Sequence, residues 1–102
     1  MFIMHYVVSK MKNKDTVIFE FIFEETGIKI SPFLESVILK PQKITSLNNI
    51  DLEKIVKEFA PISKKYRHTL DGPSELRTIH IFEMYLMCRI CNKPHLQKLL
   101  EL

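Results

Sequence analysis

The sequence predicts an α+β fold, a tandem ββα–ββα domain with an approximate internal twofold, its antiparallel strands packed against short helices. Three observations carry this expectation. Residues 17–24 alternate with period two, two amphipathic segments open on a proline, and the two halves of the chain match in element order. The chain has 102 residues, which fits one domain, with halves at 1–41 and 62–102 linked by a helix over 51–59. An apolar fraction of 46% and a charged fraction of 26% are ordinary globular usage and argue against disorder.

The alternating run opens the argument. Val17, Phe19, Phe21 and Phe23 share one face of a strand, with Ile18, Glu20, Ile22 and Glu24 on the other. Its β-branched and aromatic residues favour the extended state. Residues 2–8 form a second strand candidate, and the polar stretch 9–15 between them suits a hairpin loop. Ser31 then stands as a cap before Pro32 at the first helical position, where a missing N–H and a fixed φ cost nothing. Phe33, Leu34, Val37 and Ile38 fall on one face of that helix, which Pro41 ends.

Residues 42–49 are polar and read as a linker. Residues 51–59 form a short amphipathic helix with Leu52, Ile55, Val56 and Phe59 as its buried stripe, and Glu53–Lys57 and Lys54–Glu58 as i,i+4 pairs. Pro61 is expected to stop it, with a further strand over 62–70 leading to the turn Asp71-Gly72-Pro73-Ser74.

Residues 76–91 admit two readings. A helix would take Ser74 as its cap and Glu75 in its first turn. The favoured strand would set His80, Phe82, Met84 and Leu86 against Ile81, Glu83, Tyr85 and Met87. Sixteen extended residues would run about 53 Å, so that strand needs a bend or bulge. Residues 93–102 close the chain as a helix with Pro94 near its start and Leu96, Leu99 and Leu100 on one side.

The halves align with one gap. Ile18-Phe19-Glu20 recurs as Ile81-Phe82-Glu83, then Pro32 meets Pro94, Leu34 meets Leu96, Val37 meets Leu99 and Ile38 meets Leu100. A lone hairpin is marginal in water, so two such halves would pack together and leave a groove along their seam. Phe33, Ile38, Met84 and Leu86 are the residues expected to wall that groove.

Catalytic chemistry is absent from the pattern. No glycine-rich phosphate loop and no nucleophile elbow occurs, and the two glycines, Gly27 and Gly72, leave little room for either. His5, His68, His80 and His95 have no nucleophile or acid at a defining spacing, and Glu20, Glu24 and Glu83 read as solvated strand acids. Cys88, Cys91 and His95, with His80 as a fourth ligand, have zinc-like spacing, but a structural site draws its second pair from a separate knuckle. We therefore expect no enzyme, metal or cofactor. A net charge of +3 is spread along the chain, with basic runs at Lys10, Lys12, Lys14 and at Lys64, Lys65, Arg67, His68. No stretch is long enough to span a bilayer, and no targeting segment is visible.

In length, in its Ile-, Lys-, Phe- and Glu-rich composition and in its lack of a functional motif, the whole chain resembles small open-reading-frame proteins of filamentous viruses that infect hyperthermophilic archaea, Acidianus in particular. The resemblance implies an accessory or host-interaction role in the infected cell's cytoplasm, and supplies no functional residue. The expected function is that of a non-enzymatic protein- or peptide-binding protein, its partner an extended segment or a second copy in the groove. The alternative is a small nucleic-acid-binding protein using the basic turn residues.

Overall fold

Residues 17–26 are helical, and the reason lies in which residues they bury. The computed structural model describes residues 17–67, 72, 74 and 76–101, and among them helix is the only regular structure. Helix α1 (Val17–Thr26) buries Ile18, Phe19 and Ile22, an i, i+1, i+4 set, and leaves Glu20 and Glu24 exposed one turn apart. Over eight residues that set satisfies the helical period as well as alternation satisfies the strand period, and tertiary packing overrides β propensity. The helix ends where Gly27 takes φ 75°, and its N–H donates to the Phe23 carbonyl at 2.8 Å. The strand expected over 17–24 is therefore corrected to α1. The candidate strand 2–8 and loop 9–15 lie outside the described residues.

Helix α2 (Pro32–Leu39) forms as its cap chemistry predicts. The Ser31 hydroxyl accepts from the Leu34 N–H at 3.2 Å, and the Ser31 N–H donates to Glu58 Oε1 at 2.8 Å. Leu34, Val37 and Ile38 are buried. The expected linker is instead a 3-10 helix (Pro41–Ser46), which buries Ile44 and returns the Thr45 and Ser46 hydroxyls to the carbonyls of Gln42 and Lys43.

Helix α3 (Asn49–Tyr66) is twice the length expected. Asn48 caps it, its Oδ1 accepting from the Asp51 N–H at 2.8 Å. Pro61 lies inside the helix rather than ending it. Pro61 and Lys57, whose carbonyl loses its helical donor, are both exposed, so water can take that bond. The strand expected from Ile62 is the last turn of α3, with residues 68–70 outside the description. Helix α4 (Leu76–Arg89) replaces the long strand, and helix α5 (Pro94–Glu101) follows, its Leu96 and Leu100 buried.

One cluster of buried side chains, drawn from every described helix, forms the core. Helix α3 lies along α5 and also meets α2, while α4 packs on the 3-10 helix and α2. The rings of Phe59 and Phe82 meet edge to face at 4.8 Å. The α+β class, the antiparallel strands and the tandem ββα–ββα repeat with its twofold are thus overturned, because the described segments assigned to strands are helices. The matched tripeptides are not equivalent either. Ile18 is buried and Ile81 exposed, whereas Glu20 faces solvent and Glu83 is turned toward α3.

Candidate functional site

Helix α4 is apolar on two sides. At about 3.6 residues per turn, Leu76, Ile79, Phe82 and Leu86 line its inner side, and all four are buried. Arg77, Ile81, Met84, Tyr85 and Cys88 recur at the same spacing half a turn away and are exposed. Met84 is 68% exposed, Tyr85 44% and Ile81 41%, with Met87 at the edge of the stripe. Apart from Arg77 at its N-terminal end, this outer stripe carries no charge.

The inner side is anchored by polar contacts as well as packing. Ser63 of α3, 1% exposed, donates its hydroxyl hydrogen bond to Glu83 Oε2 and accepts one from Arg67 Nη2 at 3.0 Å. Arg67 Nε stands 3.8 Å from the same carboxylate oxygen, and its Nη2 also donates to the Leu100 carbonyl. Arg89 reaches back to the Leu47 carbonyl at 3.3 Å. The acid of α4 is thereby neutralised on the flank, and the hydroxyl of Ser63 is enclosed, which suits a structural role and not that of a nucleophile.

A second tie joins α1 to α3. The Tyr66 hydroxyl donates to Glu25 Oε1 at 3.0 Å, and its ring lies 6.4 Å from that of Phe21. Burial, then the hydrogen bond to Glu25 and its negative charge, push the Tyr66 phenol up to about 12.

The residues expected to wall a groove are dispersed. Ile38 and Leu86 are wholly buried in the common core, and Met84 stands on the outer stripe of α4. Phe33 is half-buried on α2 beneath Lys54, whose Nζ lies 5.6 Å from the ring centroid. Among the described residues helices stand where the strands were expected, so these four line no seam between two hairpin halves. Cys88 and Cys91 are free and exposed, His95 is exposed on α5, and no three His, Cys, Asp or Glu among the described residues are placed to hold a metal. Glu20 and Glu24 project from α1 and do not meet Glu83 across a sheet.

Ile81, Tyr85 and Cys88 were not legible as a surface in the sequence. The signal was present as the spacing i, i+3, i+4, i+7 from Ile81, but an apolar stripe on the opposite side masks it. No family profile, curated protein or solved structure matches the chain. No described helix is long and apolar enough to cross a membrane.

Proposed function

We propose that this chain is a non-enzymatic protein-binding protein that docks a helix against the outer stripe of α4, and that the helix is α4 of a second copy. The observation that carries the proposal is the exposed, uncharged run Ile81, Met84, Tyr85 and Cys88 on a helix whose inner side is already fixed. Contiguous apolar surface of this kind marks interaction sites in soluble proteins. An isologous contact brings no charges into opposition if the helices run antiparallel. Arg77 then lies by the C-terminal carbonyls of the second α4, the negative end of its dipole, whereas a parallel pair would set Arg77 against Arg77.

The nucleic-acid reading has less support. Lys64 and Lys65 are exposed at the end of α3, but Arg67 is committed to Ser63, Glu83 and Leu100. Upstream, Lys57 is paired with Glu53 at 3.3 Å, so acids interrupt the basic face.

Sedimentation velocity over a concentration series tests the proposal. The wild type should shift from monomer to dimer, and Met84→Lys should remain monomeric with unchanged helicity and, at concentrations where the wild type is monomeric, the wild-type Tm, since the side chain is mostly exposed. A wild type that stays monomeric throughout overturns it. Register is read by oxidation in a Cys91→Ser background. Ile81→Cys, opposite Cys88 in the antiparallel pair, should cross-link, and the background alone should not; cross-linking of the background would overturn the antiparallel arrangement.

A further inference from the structure

A second surface, on the far side of α2 from the α4 stripe in sequence order, is built differently. An open cleft of about 540 Å³ lies between α1 and the segment leading into α2. Its floor is apolar, with Phe19 and Ile30 nearly buried and Phe23 53% exposed. Its rim holds Glu20, Glu24 and Glu35 against one cation, Lys29. Among the described residues, none of these three carboxylates is in an ion pair or side-chain hydrogen bond.

This concentration of negative charge runs against the composition. The chain carries +3 overall, so three acids around one exposed phenylalanine do not follow from a general acidic bias. Glu20 and Glu35 suit the first turns of α1 and α2, where the helix dipole favours acids, but Glu24 does not. Glu24 and Glu25 occupy the C-terminal part of α1, which has no basic residue in its last turn, where the helix dipole favours cations. Glu25 is used by Tyr66; Glu24 has no such partner among the described residues. The volume falls within the roughly 300–1,000 Å³ of ordinary ligand sites.

We infer that this cleft binds a short basic and apolar peptide segment of a partner protein, one lysine or arginine seated between Glu20, Glu24 and Glu35 and the neighbouring apolar side chain on the floor. The basic group gains the carboxylates and the face of Phe23, the attractive side of the ring for a cation. The apolar neighbour covers ring surface that is otherwise wet, and an anchor flanked by complementary charge is the usual form of a peptide site. This site shares no residue with the α4 stripe, so the two proposals stand or fall separately.

Fluorescence anisotropy of the full chain with a fluorescein-labelled peptide, Ala-Leu-Lys-Leu-Arg-Ala, tests the inference. Binding should weaken about five- to tenfold in Glu20→Gln/Glu24→Gln and with added salt, as expected for two exposed charge pairs. Phe23→Ala should weaken it as well, and a peptide with both leucines replaced by glycine should bind less than the parent. Equal affinity for wild type and Glu20→Gln/Glu24→Gln overturns the site, and equal affinity for the glycine peptide overturns the role of the floor. A rise in affinity in Lys10→Ala/Lys12→Ala/Lys14→Ala would make the chain's own lysines the occupant and overturn the partner assignment. Each variant changes residues outside the α4 stripe, so sedimentation of the same samples reports separately on self-association.

Discussion

Ser63 and Tyr66 stand one turn apart on α3 and turn to different neighbours. Ser63 answers Glu83 on α4, and Tyr66 answers Glu25 on α1. Neither pairing was legible in the sequence, because the partners are 20 and 41 residues away and nothing local marks them. The Ser31–Pro32 cap was legible, since its chemistry is complete within four residues. The Tyr66 pair predicts a pH dependence. Burial and Glu25 hold the phenol up to about 12, against an ordinary value of 10.0, so the neutral form is the one stabilised by folding. That contribution is fully present below pH 10 and is lost as pH rises through about 12. Urea unfolding across pH 9 to 12.5 should show the advantage of wild type over Tyr66→Phe, about 1 kcal/mol from the hydrogen bond, narrowing through this window. A constant difference would mean that Tyr66 titrates normally.

Elements carry their own lesson in Pro61 and in α4. A proline read as a helix stop is correct where the residue four back needs its bond inside the protein. Here Lys57 and Pro61 are both exposed, and the helix runs through. The missing bond still weakens α3. Pro61→Ala supplies the N–H for the Lys57 carbonyl and should stabilise the protein by about 1–2 kcal/mol, less than the full helix-interior penalty because the unfolded chain also gains freedom. Chemical denaturation checks this, and a destabilised Pro61→Ala would show that the turn depends on the proline ring. Helix α4 failed to declare itself for a related reason. Its 14 residues are apolar on both sides, so neither period stands out, whereas α3 separates Leu52, Ile55, Val56 and Phe59 from its charges and was recognised over 51–59.

For the whole molecule, the sequence made the apolar segments visible but not their class. The same side chains that would line a sheet, Ile18, Phe19, Ile22, Ile79, Phe82 and Leu86, fill a helical core instead. The groove residues went astray with the class. Ile38 and Leu86 are core, and only Met84 reached a surface, on the side of α4 that alternation could not reveal. Helix α3 is the common neighbour. It lies along α5, takes the Ser31 N–H at Glu58, holds α1 through Tyr66 and holds α4 through Phe59, Ser63 and Arg67. A molecule organised around one such helix has no way to release it piecemeal. Amide protons in the middle of α3 should therefore exchange with solvent only when every helix has let go, at the free energy of global unfolding, while those of α1 exchange by smaller openings. Hydrogen exchange followed by mass spectrometry in low denaturant would show α3 merging with the global isotherm first; protection in α3 no greater than in α1 would mean that the bundle comes apart in independent pieces.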